Sequence, residues 1–263
     1  MSLAGEERKR EIMTLLNEKG KVIAGELAQR FEVSTETIRR DLDDLEKENK
    51  LKKVYGGALR ISPKVEPPLL ERESTNVEAK LKVGALAAKL VEDNDVIVLD
   101  EGSTVLQMIP FLEHKRNLTI LTNSIPALMR LLEYQKRGTF DVKIILIGGV
   151  VNTQHLRATG PIAEKIIEDF YVNKAFISVD GVSLKHGITS YDYEKAVFTR
   201  KLIGGSEMAI VVADYSKIAK RTVARIAELR ELHTIVSDEA PPEEWKSQLG
   251  KLELRWIHRE SDL

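Results

Sequence analysis

The run Asp100-Glu101-Gly102-Ser103-Thr104 places a glycine and two hydroxyl side chains directly behind the apolar stretch "VIVL". Glycine lets the backbone approach a ligand closely, and a helix expected from near Val105 would expose N–H groups at its start. This combination makes an anion cradle, whose commonest occupant is phosphate. No Gly-Lys-Ser/Thr follows, so the loop is not a Walker loop. Four further polar clusters follow apolar runs: Thr122-Asn123-Ser124, Gly148-Gly149, Asp180-Gly181 and Asp214-Tyr215-Ser216-Lys217. Lys217 is placed to supply a cation to the same edge; read alone, it is equally a solvated lysine at a helix start.

A second group lies in "VSTETIRRDL", where Arg39 and Arg40 are adjacent. Neighbours on a helix point about 100° apart. With Ile38, Leu42 and Leu45 as the buried stripe, Arg40 points outward and Arg39 and Thr37 lie on the flanks. A helix seated in the major groove of DNA uses this division, one side chain at base edges and another at a phosphate. A solvated face with pairs such as Arg40 with Asp44 is the alternative for these residues alone.

The elements that must position these residues differ along the chain. Residues 6 to 58 have helical periodicity. One helix runs from about Glu6 to Glu18 with Ile12, Leu15 and Leu16 inward, and "AGELAQRF" is a second with Leu27, Ala28 and Phe31 inward. Ser34 is a suitable N-cap for a third. Lys50, Lys52, Lys53 and Arg60 then surround a Gly-Gly turn, as in a basic hairpin able to lie on a phosphate backbone. Pro63, Pro67 and Pro68 interrupt regular structure and suggest a linker. From Asn76 onward "DVIVLD", "LTILTN", "VKIILIGG", "KAFISVDG", "AIVVAD" and "HTIVSD" alternate with helical stretches, which predicts a mostly parallel α/β sheet. In such a sheet ligands bind outside the carboxyl ends of the strands, where the five polar clusters fall.

The stretch "ELAQRFEVSTETIRRDLDDLEKENKLKKVYGGA" resembles the winged helix-turn-helix of DeoR-type bacterial regulators. The resemblance makes the third helix the recognition helix, with Ser34, Thr35, Thr37, Arg39 and Arg40 toward DNA and Lys52 and Lys53 on the wing. "LDEGST", "LTNS", "IGG", "VDGVSLKHGIT" and "ADYSK" resemble the effector domain of the same family, which is related to ribose-5-phosphate isomerase. By that resemblance Gly102, Ser103 and Thr104 hold phosphate, while Asn123, Asp180 and Lys217 face the sugar and Asp100 heads the site. Ser103 stands where the family usually has Thr, which keeps the hydroxyl. Glu101 adds a negative charge that must point away from the cradle or weaken anion binding. The isomerases have Asp-Gly-Ala-Asp-Glu where this chain has "DGVSL", and Lys201 in "TRKL" is aligned with their glutamate base. Proton transfer between sugar carbons needs a positioned carboxylate, so binding without turnover is expected.

The chain has 263 residues, 31% of them charged, with a net charge of -1. Residues 1 to 60 hold 13 basic against 12 acidic residues, so DNA contact must come from a clustered face. There are no cysteines, which excludes disulfide and thiolate chemistry. The five histidines lack ligand-like spacing, so neither a metal nor a cofactor is expected. No apolar run approaches the roughly 18 residues of a membrane span, and a cytoplasmic location is expected. The expectation is therefore an α/β protein: a winged helix-turn-helix domain over residues 1–60, a linker over 61–75, and an effector-binding domain over 76–263. It would be a non-enzymatic repressor of a carbohydrate operon, acting on double-stranded operator DNA as a dimer or tetramer and controlled by a phosphorylated sugar or polyol. The alternative is a sugar-phosphate isomerase or deaminase with an appended helix-turn-helix.

Overall fold

A computed structural model of the chain describes residues 3–48, 50–60, 66–138 and 140–263. It divides into two compact units, Met1–Lys64 and Val65–Leu263.

In the first unit α1 (Leu3–Lys19) ends at Gly20, whose φ of 71° stops the helix. Strand β1 (Lys21–Ile23) leads into α2 (Ala24–Arg30), and a tight turn through Glu32 leads to α3 (Thr35–Lys47). The hairpin β2 (Leu51–Val54) and β3 (Gly57–Arg60) follows, with β3 between β1 and β2 in an antiparallel sheet. The two glycines of the hairpin turn differ in purpose. Gly56 has φ of 81°, whereas a Cβ on Gly57 would stand 2.0 Å from the Val22 carbonyl oxygen. Ile12 and Leu16 of α1, Leu27 of α2, and Ile38, Leu42 and Leu45 of α3 form one core with Val22, Leu51 and Ala58.

The second unit begins with α4 (Leu69–Glu73) and α5 (Val77–Ala88). Residues 66–75, expected to be linker, thus belong to the second unit, with Glu66, Leu69 and Arg72 buried in it. Prolines 67 and 68 precede the short helix instead of preventing it. Residues 61–65, including Pro63, lie outside the described residues.

Next come β4 (Val96–Leu99), β5 (Leu118–Thr122), α6 (Ile125–Lys136) and β6 (Val142–Leu146). The hairpin β7 (Val150–Asn152) and β8 (Arg157–Thr159) leads to α7 (Pro161–Glu168) and β9 (Val172–Ile177). After β10 (Gly181–Ser183) and β11 (Gly187–Ser190) come α8 (Tyr193–Gly204) and β12 (Ser206–Val212). Then follow β13 (Ala224–Ala227), β14 (Thr234–Val236), α9 (Lys246–Lys251) and β15 (Arg255–Ile257).

Seven strands form a parallel sheet in the order β15-β14-β12-β9-β4-β5-β6. Alternation along each strand serves two cores: Val98, Ala175, Ala209 and Val211 point into one, Ile97, Leu99, Phe176 and Ile210 into the other. The chain runs outward from β4 to β6 and returns beside β4 as β9, where Val98 pairs with Ala175. That reversal is the point at which an open α/β sheet leaves a crevice at its carboxyl edge. The loops after β4 and β9, at residues 100–104 and 178–180, flank it.

Candidate functional site

The Ser34 hydroxyl accepts the Thr37 N–H at 3.1 Å and caps α3. Thr35 opens the helix, and the Thr37 hydroxyl lies 2.9 Å from that of Ser34. Arg39 and Arg40 both approach Glu36, at 3.8 and 3.9 Å, with side chains 63% and 79% exposed. Exposed pairs of this kind are worth about 0–1 kcal/mol, so both guanidiniums are available to a partner at little cost. The pairing of Arg40 with Asp44 does not form. Asp44 instead bonds Lys9 at 2.8 Å, and buried Asp41 bonds Arg8 at 2.6 Å, which fastens α3 to α1. On the wing, Lys53 gives its ammonium to Asp43 and its N–H to Glu46 at 2.7 Å. Lys52 is exposed and has no ion pair among the described residues. The wing cation open to a partner is therefore Lys52 before Lys53.

At the crevice of the second unit, Gly102 has φ of 147°, and a Cβ there would stand 2.2 Å from Ser178 Oγ. Its backbone freedom thus serves the packing of the β4 loop on the β9 loop. The helix expected from near Val105 is a seven-residue 3-10 helix, Val105–Phe111, interrupted by Pro110. The loop therefore offers individual donors in place of an α-helix end. The N–H groups and hydroxyls of Ser103 and Thr104 have no hydrogen-bond partner among the described residues.

Asp100 accepts N–H bonds from Glu101 (2.8 Å) and Ser178 (3.3 Å). Burial, reinforced by the charge of Glu101, pushes its carboxyl up to about 7. Glu101 turns away from the cradle, only 1% exposed, and meets Lys195 at 2.8 Å, Arg157 at 2.9 Å and Arg72 at 3.5 Å. Burial opposes its ionisation, but Lys195, Arg72 and Arg157 outweigh this and hold it well below the usual carboxylate range. The negative charge beside the cradle is thereby neutralised.

Asp180 accepts from the Ser190 hydroxyl and the Tyr191 N–H, both at 3.1 Å, and lies 3.6 Å from Lys195. Burial raises its pKa, yet Lys195, Lys217 and Arg72 bring it below the ordinary value. Lys217 also acts on Asp214, and its half-buried ammonium has no ion pair among the described residues. Buried Asn123 donates to the Ala158 carbonyl at 3.1 Å, while its own oxygen has no donor; Asp214 Oδ2 likewise has none.

The residues that join these loops were not foreseen from sequence. Arg157, 1% exposed, bonds Glu66 (3.1 Å), Glu101 (2.9 Å) and Asp192 (2.8 Å). Glu66 also meets Arg72 at 2.7 Å and Lys195 at 3.5 Å. Little in the sequence marks them: Arg157 stands in a three-residue strand buried throughout, but Arg72 lies between Glu71 and Glu73 and Lys195 follows Glu194, as on a solvated helix. Lys201, aligned above with a catalytic glutamate, lies elsewhere: it pairs with Glu168 and Glu164 on α7. That alignment does not carry the distinction from an isomerase. No group of acids and histidines suited to a metal occurs among the described residues, and none of their helices is long and apolar enough to cross a membrane.

The sensor-domain model of one family, "DeoR C terminal sensor domain", matches residues 75–239, and "DeoR-like helix-turn-helix domain" matches residues 8–64. The uncharacterized HTH-type transcriptional regulator YulB of Bacillus subtilis is 35% identical over 233 residues, 88% of each chain. The HTH-type transcriptional repressor GlcR of the same organism is 31% identical over 98% of this chain and 97% of its own. The glycerol-3-phosphate regulon repressor of Escherichia coli is 26% identical over 90% and 92%. Among solved structures, ribose 5-phosphate isomerase A from Neisseria gonorrhoeae aligns with 56% of each chain at 17% identity and a TM-score of 0.41. The matched families and named relatives are regulators, and this chain is accordingly a DNA-binding regulator, not an enzyme, that belongs to the DeoR family.

Proposed function

We propose that the protein represses carbohydrate-utilisation genes and is controlled by a phosphorylated sugar or polyol held at the carboxyl edge of the parallel sheet. The observation that carries this reading is the loop after β4: free N–H groups and hydroxyls of Ser103 and Thr104, beside a Glu101 whose charge is spent inward. Lys217 supplies the cation, and the donorless oxygens of Asn123 and Asp214 suit ligand hydroxyls. Asp100 and Asp180 hold the flanking loops in place. The name of the glycerol-3-phosphate regulon repressor agrees with a polyol-phosphate-linked role. Ser34, Thr35, Thr37, Arg39, Arg40 and Lys52 contact operator DNA, with Lys53 positioning the wing through Asp43. Pairing of DNA half-sites calls for a dimer or tetramer.

The test is a melting scan with a panel of sugar and polyol phosphates. A ligand at about 100 times its dissociation constant adds about 2.7 kcal/mol, several degrees in Tm. The unphosphorylated sugars are expected to shift Tm little, and Lys217→Ala to abolish the shift while DNA binding persists. Equal stabilisation by neutral sugars would defeat the phosphate reading.

A further inference from the structure

Residues 65–74 fall between the two matched family models, yet the structure buries charge there. Glu66, 4% exposed, stands two residues past the boundary between the units. Its carboxylate meets Arg72, Arg157 and Lys195 at 2.7, 3.1 and 3.5 Å, with His155 at 3.7 Å. The same three cations hold Glu101, the residue adjoining the cradle.

The rest of the segment is fastened to the same edge. Leu69 donates its N–H to Gln154 at 3.1 Å. Glu73 pairs with Arg130 at 3.1 Å, and Arg130 also donates to the carbonyl of Leu106 in the 3-10 helix behind the cradle. Asn76 donates to Asp214 at 3.0 Å. Lys80 donates to the carbonyls of Arg72 and Thr75 at the end of α4.

We infer that residues 66–76 form a strap locked by Glu66, through which occupancy of the cradle reaches the DNA-binding unit. The inference rests on the anion-cradle reading above. Glu66, Glu101, Asp180 and Asp192 share Arg72, Arg157 and Lys195, so these carboxylates outnumber the cations. An anion bound at Ser103 and Thr104, beside Glu101, adds a further negative charge for the same cations to balance. Glu101, Asp180 and Asp192 stand on loops of the sheet edge or at the cap of α8. Glu66 stands on the strap, and its carboxylate is the one released. Because the chain passes between the units at this point, a loosened strap changes what the DNA-binding unit is attached to.

Glu66→Gln keeps the shape and removes the charge. In the ligand-free full chain it is expected to speed amide hydrogen exchange across residues 66–76, leaving β4 and β9 amides as in the parent. It should also weaken binding to a DNA fragment selected by the parent protein from a random pool, on the order of 5- to 150-fold, the range of allosteric couplings. Saturating inorganic phosphate should protect residues 102–106 in the parent while speeding exchange in the strap. If phosphate protects 102–106 but neither it nor Glu66→Gln alters the strap or DNA affinity, the lock is refuted and the cradle stands. If phosphate protects nothing there, the cradle fails, and Glu66→Gln still decides the lock without ligand. Should Glu66→Gln not fold, Glu73→Gln cuts the half-exposed tie to Arg130 and is expected to act in the same direction, more weakly; parent-like exchange and DNA affinity in that variant would overturn the lock.

Discussion

Asp100 and Glu101 are chain neighbours, both buried, and their carboxyls are pushed in opposite directions. Glu101 has three cations within reach, whereas Asp100 has two N–H donors, the Thr199 hydroxyl and a negative neighbour. The folded Asp100 carboxyl therefore binds its proton more tightly than in the unfolded chain, near 7 against an ordinary 3.8. Between those values the folded state keeps a proton that the unfolded state has lost, so stability falls as pH rises through the window. Glu101 contributes the opposite sign in a different window: its stabilisation is present above its unfolded value and is lost only in stronger acid. Urea unfolding at a series of pH values should show the fall between 3.8 and about 7 in the parent and its loss in Asp100→Asn. Identical profiles for the two proteins would remove Asp100 as its source.

At the scale of elements, α3 and the wing are expected to leave different signatures on DNA. Arg40→Ala on the outward face of α3 should relax sequence preference, since a base contact carries about 1–3 kcal/mol of discrimination. Lys52→Ala on the wing should weaken all sequences alike and lower the salt slope by about one unit. Gel shifts on matched and mismatched fragments across a salt series separate the two; a uniform loss for Arg40→Ala would contradict its assignment. Elements long enough to show a period were legible in the sequence: Ile38, Leu42 and Leu45 marked the inner face of α3, and six apolar runs marked six strands of the parallel sheet. Of the three-residue strands, β14 is β-branched throughout and could be read, whereas β1 and β15 each begin with a charge and could not. The polar loops were legible for the same reason as the strands, because each ends one. The strap was not, since Glu66 gains its meaning from Lys195, 129 residues away, and prolines beside it signal a linker.

For the whole molecule, the two units differ in how far apart in the chain their contacts lie. The first is closed over shorter spans: a hairpin joined at Val54 and Gly57, Arg8 to Asp41, and Lys21 opposite Leu59. The second cannot set its central pair until Ala175 reaches Val98, and β15 is added only near the end of the chain. Contacts between distant residues slow folding, and domains made first fold first during synthesis. Pulsed hydrogen exchange during refolding should protect α3 amides before those of β4 and β9; simultaneous protection would count against this order. On the ribosome, then, the helix-turn-helix unit folds while the sensor domain is still being made. A newly made chain thus completes its helix-turn-helix unit before β15, the last strand of the parallel sheet, has been made.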